Sequence, residues 1–244
     1  NTMRNIFILM LTLCTIQSKA QTIEAHYTVK RNFSIEIDPG KTTSIDFNYE
    51  GVIYKSNAKI ISFLKPLYLS DYPSGEVDFP MSETGAIPQM PIDMDTMQFV
   101  FLYNTDSLRF WQSSYYSLGP KIYTSSTYNP NTPIWKILPE TKVINGLECK
   151  HAVQIHKSKI IMEIWYYPNI ELSFGLMGLK NAPGLVVEYI GNRTNFTYTL
   201  KDFKINEPIN EQIFWPEIFK KAKFNENTNL KSDKDSKKSS IMNQ

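Results

Sequence analysis

Cysteine, histidine and glycine are scarce in this chain, and the scarcity of cysteine excludes a disulfide framework. The 244 residues include 2 cysteines, 3 histidines and 10 glycines. Cys14 lies in an apolar N-terminal run, so only Cys149 belongs to the expected mature chain and no intrachain disulfide is expected. We expect Cys149 to be a small buried hydrophobic residue. The alternative is an exposed thiol that pairs with a partner.

Metal-binding and nucleophile motifs are also missing from the sequence. It has no HExxH, no paired cysteines, no Asp-rich loop and no GxSxG. His151 and His156 are five residues apart on a predicted strand, so their side chains point to opposite faces and cannot hold one ion. We therefore expect no metal and no cofactor. Carboxylates such as Glu163 and Glu188 suit glycoside hydrolysis only at a separation that the sequence does not give.

The charge and hydropathy patterns exclude two further classes of protein. The 26 basic and 24 acidic residues leave a formal net charge of +2, which argues against a dedicated nucleic-acid binder. No segment after residue 16 approaches the roughly 20 apolar residues that a membrane-spanning helix needs. The lysine-rich tail 224–244 has almost no apolar residues and is expected to be disordered. Electrostatic attachment of this tail to an anionic surface is the alternative.

The N-terminus predicts export. Arg4 precedes the apolar run 6–16, and Ser18 and Ala20 supply small residues at the two recognition positions, so residues 1–20 read as a signal peptide. Lipidation of Cys14 is disfavoured because a bulky leucine precedes it. The mature chain is expected to begin near Gln21 and to reach the periplasm or the periphery of the outer membrane. Residues 21–223 fit a single β-rich domain.

Runs rich in Ile, Val, Phe, Tyr and Thr recur between clusters of Pro, Gly, Asn and Ser, a pattern typical of antiparallel strands. The fold class we predict is mainly β, a single domain with a large curved antiparallel sheet or a partly open barrel. Proline and glycine in 70–95 predict a long surface loop, and one short helix is expected at 216–223 near the C-terminus. The predicted strands are 22–37, 43–55, 58–69, 97–104, 107–114, 121–127, 134–143, 148–157, 160–167, 183–190 and 195–205.

The hairpin 148–167 allows a prediction of register. A two-residue turn at Ser158-Lys159 would place almost all apolar side chains on one face. It pairs Ile155 with Met162, Val153 with Ile164 and His151 with Tyr166. A three-residue turn mixes the two faces, so we favour the first register.

The segment 134–206 resembles the GLPGLI family of exported Bacteroidota proteins. The landmarks are, in order, Ile144-Asn145-Gly146-Leu147-Glu148-Cys149-Lys150-His151-Ala152, Trp165-Tyr166-Tyr167-Pro168-Asn169-Ile170, Ser173-Phe174-Gly175, and Asn181-Ala182-Pro183-Gly184-Leu185-Val186. The last is similar to the motif that names the family and keeps its Pro-Gly-Leu centre. Glu188 stands where the family usually has an acid. The resemblance implies an exported β-rich protein and does not imply a reaction.

Pro183 and Gly184 suit the start of a strand or a bulge, because proline cannot donate a ladder hydrogen bond and glycine permits unusual backbone angles. The functional interpretation is a concave groove lined by Trp165, Tyr167 and the connection from Phe174 to Leu179. The candidate binding residues are Trp165, Tyr167, Phe174, Gly175, Pro183, Gly184, Leu185 and Glu188.

Two functions remain open from the sequence. The favoured one is a non-enzymatic binder of an apolar ligand, such as a lipid-like molecule, or of an envelope partner protein. The alternative is an envelope hydrolase acting on peptide or glycan, with catalytic groups from the loop 70–95 and the strand ends.

Overall fold

The computed structural model describes residues 21–114, 122–129, 135–191 and 195–226. Most of them are in strands, and one short helix lies near the C-terminus, which confirms the predicted fold class. The strands are β1 (Ile23–Asp38), β2 (Lys41–Ser56), β3 (Lys59–Pro66), β4 (Glu76–Asp78), β5 (Gln89–Pro91), β6 (Gln98–Asn104), β7 (Arg109–Ser114), β8 (Ile122–Thr127), β9 (Lys136–Ile144), β10 (Leu147–His156), β11 (Lys159–Tyr167), β12 (Leu185–Gly191), β13 (Phe196–Ile205) and β14 (Asn225–Glu226). Helix α1 is Glu217–Lys220, and 3₁₀ turns occupy Leu176–Gly178 and Glu211–Phe214.

Twelve of these strands form one sheet in the order β14-β8-β7-β6-β3-β2-β1-β13-β12-β11-β10-β9. All neighbours are antiparallel except β14, which runs parallel to β8. The chain therefore starts in the middle of the sheet, proceeds to one edge through β8, crosses to the other edge at β9 and returns to β1 through β13. The two end strands of this order, β14 and β9, are not paired with each other in the described residues, so the sheet is open.

The link between β8 and β9 requires the sheet to be curved. Thr127 ends β8 and Lys136 begins β9, so nine peptide units join them and span about 32 Å at most. The ten strand spacings between β8 and β9 would be about 48 Å in a flat sheet. Curvature brings the two ends close enough for a connection of this length. The main core cluster covers the concave side of the sheet. That side is called the inner face below.

The inner face is covered by the connecting segment 168–184, which joins β11 to β12. Six of its apolar residues are no more than 6% exposed: Ile170, Leu172, Phe174, Leu176, Leu179 and Ala182. They pack with strand residues such as Tyr27, Tyr49 and Tyr198 in one core cluster. Ser62 Oγ on β3 donates a hydrogen bond of 3.3 Å to the carbonyl oxygen of Gly175. The concave space is thus filled by the chain itself.

The opposite, outer face is covered only over its central strands. Val52, Ile61, Phe63, Val100 and Leu102 form a second cluster with Phe214 and Phe219 from the C-terminal segment. Strand β3 is therefore buried on both faces, which explains the continuous burial of Ile60-Ile61-Ser62-Phe63-Leu64, where Ser62 is the one polar residue. The structure contains no helix, among the residues it describes, that is long and apolar enough to cross a membrane.

The predicted register of the β10–β11 hairpin is wrong. The turn lies at Lys157-Ser158, one residue earlier than predicted, and both residues have positive φ (48° and 64°), as two-residue hairpin turns favour. Ile155 pairs with Ile160, and an extra residue in β11 then shifts the ladder. The predicted partners Met162, Ile164 and Tyr166 are opposite Gln154, Ala152 and Lys150 instead. Ile155 and Ile160 are accordingly exposed, not part of an apolar face.

The segment 70–95 is more ordered than a surface loop. Strands β4 and β5 pair within it as a separate two-stranded sheet. Val77, Phe79 and Met90 are buried and join the main core cluster. The prolines did exclude a central strand here, but the apolar residues between them anchor a small hairpin over the core.

The C-terminal segment departs slightly from its predicted boundaries. Helix α1 is shorter than the expected 216–223 and follows Pro216, which serves as its N-cap. Asn225 and Glu226 pair with Thr124 and Ser125, so the fold continues past residue 224, where disorder was expected to begin. Residues 227–244 and the predicted signal peptide 1–20 lie outside the described residues.

Candidate functional site

A depression of about 610 Å³ opens at one end of the inner face. It lies where the β2–β3 turn, the β6–β7 turn and the connecting segment meet, and we call it the end depression. Its lining consists of Lys55, Asn57, Ile60, Thr105, Leu108, Tyr128, Glu171, Ser173, Phe174, Asn181 and Ala182.

The floor of the end depression is aromatic and rigidly packed. Phe174 is 2% exposed and stacks on Tyr103 with ring centroids 3.9 Å apart. Tyr128 meets Phe174 edge-on at 5.2 Å. Burial raises the pKa of both Tyr103 and Tyr128, so their phenols stay neutral across the physiological range. Because the rings of Tyr103, Tyr128 and Phe174 pack against one another, they cannot move into the end depression and fill it.

The rim of the end depression is polar. Lys55 Nζ donates a hydrogen bond of 2.9 Å to the carbonyl oxygen of Glu171, which ties the connecting segment to the end of β2. The backbone N–H of Ala182 donates to the carbonyl oxygen of Ser173 at 3.0 Å and closes the segment into a loop. Ammonium, amide, hydroxyl and carboxylate groups therefore surround an apolar floor. Such a combination of apolar area and a few polar groups is typical of ligand sites.

Trp135, which directly precedes β9, contacts the connecting segment beside the depression. Trp135 Nε1 donates a hydrogen bond of 3.1 Å to the carbonyl oxygen of Lys180. The Lys180 ammonium lies 3.5 Å from the centroid of the Phe110 ring, and burial lowers its pKa. A cation on an aromatic face is attracted by the ring quadrupole. These contacts fix the wall next to Asn181.

The structure separates the residues predicted to form one groove. Phe174 lines the end depression, but Gly175 is buried and Leu185 is 0% exposed, so neither lines an open surface. Trp165 and Glu188 are directly paired across β11 and β12 and alternate with Ile164 and Tyr189, which belong to the inner core. They therefore lie on the outer face. Among the predicted groove residues, Phe174 alone lines the end depression, and Trp165 and Glu188 lie apart from it on β11 and β12.

Tyr167 and Pro183 are half-buried near the start of β12. The Tyr167 hydroxyl accepts a hydrogen bond of 3.1 Å from Asn169 Nδ2. Strand β12 starts at Leu185, directly after Pro183-Gly184, as the strand-start interpretation predicted.

Gly184 is required for close approach, not for unusual backbone angles. Its φ is not positive, but a Cβ there would lie 2.5 Å from the carbonyl oxygen of Tyr167. The predicted reason for this glycine is therefore corrected. At Gly175 a Cβ would lie 2.8 Å from Leu179 Cδ2, so both glycines serve the packing of the connecting segment.

Trp165 is engaged by its own neighbours. The His151 ring stacks on it at 4.4 Å with an interplanar angle of 4°, and Lys142 Nζ lies 4.3 Å from its centroid. Lys142 also pairs with Glu188. His151 Nε2 is 3.0 Å from Glu163 Oε1, yet the geometry is not that of a hydrogen bond and both ring nitrogens are buried without one. These contacts occupy the π surface that a ligand would need.

A second histidine also lies between carboxylates. His26 Nε2 is 2.9 Å from Glu24 Oε1, and His26 Nδ1 is 3.0 Å from Glu50 Oε1. The hydrogen bond from His26 is the main cause of the lowered pKa of Glu24. Neither histidine lines the end depression. No group of three or more His, Cys, Asp or Glu suited to a metal ion occurs within the described ranges.

Cys149 is free and 0% exposed, which confirms the buried-residue prediction and excludes the exposed thiol. Its Sγ donates to the carbonyl oxygen of Leu147 at 3.4 Å, and burial raises its pKa. A protonated, inaccessible thiol is unreactive.

Sequence reasoning missed most of the end depression. Lys55, Asn57, Thr105 and Tyr128 come from three separate turns or strand ends and carry no motif. Only their pairing in the sheet brings them beside Phe174. No signal in the sequence alone points to them.

No protein-family model and no curated protein matches this chain. Two solved structures of PNGF-II are similar to it. The one in space group C2 has a TM-score of 0.48 and 19% identity and covers 86% of this chain and 32% of that chain. The one in P21 has a TM-score of 0.43 and 17% identity and covers 85% and 32%. The chain thus spans about a third of the length of PNGF-II, and a likeness of this size carries no argument about function.

Proposed function

We propose that this protein is a non-enzymatic binding protein of the cell envelope, and that the end depression receives the apolar part of a small ligand or of an envelope partner. The single observation that carries the proposal is the open volume of about 610 Å³ in the end depression, which Tyr128 and Phe174 help to line. This volume is within the range of about 300–1,000 Å³ in which ligand sites fall.

The arrangement suits binding because the floor is already in place. The buried Phe174 ring holds Tyr128 in place, so a ligand does not have to order the half-buried Tyr128 ring on which it packs. The Lys55 ammonium and the Glu171 main chain are joined at the rim, where they can orient a polar group of the ligand. An amphipathic molecule, apolar at one end and polar at the other, fits this division best.

The hydrolase alternative has less support. Hydrolysis of a glycosidic bond requires two carboxyl groups about the bond, and a nucleophile mechanism requires a base beside the nucleophile. Glu171 is the one residue with a side-chain carboxylate among the described residues that line the end depression, and none of them is a histidine. The location in the envelope rests on the apolar run 6–16 and on the GLPGLI resemblance of 134–206.

Native mass spectrometry of the protein purified gently from its own cell envelope tests the proposal. Three forms are compared: the unchanged protein, Thr105→Trp, which places an indole in the end depression, and Thr42→Trp as the matched control. Both threonines are exposed, and Thr42 lies at the opposite end of β2 from Lys55. We expect a retained ligand or partner mass on the unchanged protein and on the control, and its loss from Thr105→Trp.

Two results would contradict the proposal. One is a bare chain in the unchanged protein, and the other is equal retention by Thr105→Trp. Turnover of envelope peptides or glycans by the unchanged protein would replace binding with the hydrolase alternative.

A further inference from the structure

A second cleft lies on the outer face, at the same end of the sheet as the end depression. It is bounded by β6, β7 and the 3₁₀ turn Glu211–Phe214, has a volume of about 310 Å³, and is called the tryptophan cleft here. Leu102 and Phe214 form its floor and belong to the outer cluster. Trp111 and Trp215 form its walls.

We infer that the tryptophan cleft binds one neutral sugar ring, stacked on Trp215 and held at its hydroxyl edge by the polar rim. The proposal is independent of the function proposed for the end depression, because the two sites share no residue.

The two tryptophan rings make a corner that is open to solvent. Their centroids are 5.7 Å apart and their planes meet at 85°. Trp215 is 39% exposed, although Phe219 at 5.6 Å and Phe224 at 6.1 Å hold it in place. A large aromatic side chain that is both fixed and exposed presents apolar area at little entropic cost. A pyranose has an apolar C–H face that packs on such a ring.

The charges of the cleft favour a neutral ligand over a cation. Lys59 Nζ lies 5.8 Å from the Phe214 centroid, and the Arg109 guanidinium lies 5.8 Å from the Trp111 centroid. Positive groups therefore already occupy the aromatic faces where a ligand cation would bind. The Glu211 carboxylate is balanced by Lys59 at 3.3 Å and accepts a hydrogen bond of 2.6 Å from Ser56.

The rim supplies the hydrogen-bonding groups that hydroxyls need. Asn104 Oδ1 accepts hydrogen bonds from the backbone N–H groups of Asp106 and Ser107 at 3.1 and 3.0 Å, which directs its Nδ2 donor away from the turn. Glu211 adds acceptors and Lys59 adds donors. Each sugar hydroxyl both donates and accepts, so a mixed rim suits it. The volume is at the lower end of the range for ligand sites and fits one ring.

Isothermal titration calorimetry with methyl glycosides of glucose, galactose, mannose and N-acetylglucosamine tests this inference, with tetramethylammonium and indole as competing probes. We expect at least one glycoside to bind, and Trp215→Ala to weaken it at least tenfold. Asn104→Asp keeps the acceptor that supports the turn but removes the Nδ2 donor, so it should weaken binding without unfolding the protein. Trp165→Phe is the matched control, because Trp165 is engaged by His151 and Lys142 elsewhere on the outer face.

The inference is overturned if no glycoside binds, if only tetramethylammonium or indole binds, or if Trp215→Ala and Asn104→Asp bind as tightly as the unchanged protein. Failure of the end depression to retain a ligand or partner in native mass spectrometry would not affect the inference about the sugar ring. The two proposals can therefore fail separately.

Discussion

Replacing Leu176 by alanine tests whether the connecting segment 168–184 stabilises the curved sheet. Leu176 is 1% exposed, and its Cδ1 lies so close to Gly51 on β2 that a Cβ at Gly51 would overlap it. Truncation leaves a cavity against strand backbone, which cannot move inward to fill it. Core Leu→Ala changes cost about 2–5 kcal/mol, and we expect about 3 kcal/mol here. For a domain of this size each kcal/mol lowers Tm by about 2–4 °C, so the expected fall is about 6–12 °C.

Urea unfolding followed by tryptophan fluorescence measures this free energy. Leu67→Ala is the matched control, since Leu67 is 61% exposed and its truncation should change the unfolding free energy by less than about 0.5 kcal/mol. Equal losses for the two variants would refute the reasoning, because the connecting segment would then contribute no more than a surface residue.

Two further predictions follow from the same packing. Gly184→Ala should destabilise the protein by about 2–3 kcal/mol in urea, because its Cβ would meet the Tyr167 carbonyl oxygen. Gly40→Ala should cost only about 1 kcal/mol, since nothing lies near that glycine and only its positive φ resists alanine; equal losses would contradict the steric argument. Burial raises the pKa of Tyr103 and Tyr198, so stability should be complete below the unfolded value near pH 10 and fall above it. Ultraviolet absorbance should show these phenols ionising only with unfolding, and full reversible titration of the folded protein near pH 10 would contradict this.

The positions of eleven of the fourteen described strands were predictable from the sequence, and the short strands β4, β5 and β14 were not predicted. All eleven predicted strands are present, with ends within three residues of those observed. Runs of β-branched and aromatic residues broken by Pro, Gly and Asn mark them because such side chains fit a half-buried pleated surface. Strand β3 does not alternate apolar and polar residues, because both of its faces are covered.

Register was not predictable from the pattern. One extra residue in β11 moves every later pair of the hairpin, and the apolar sequence Ile160-Ile161-Met162 contains no mark of where that residue falls. A related limit applies to the predicted groove. Trp165 is on β11 and Phe174 is in the connecting segment, and their spacing in the sequence does not show which of them lines a depression.

The candidate site was predicted only through Phe174. The other residues of the end depression are distant in sequence, and their common feature is a position at the same end of the curved sheet. Lys55 reaches the connecting segment only because β2 ends beside it. Such a site depends on strand order and curvature, which neither composition nor spacing specifies.

The most direct test of the central claim is a crystal structure of the protein purified with its native ligand or partner from the cell envelope. The account predicts additional electron density in the end depression, in contact with Phe174 and Tyr128. An end depression occupied by solvent alone, with the ligand or partner bound elsewhere, would contradict it.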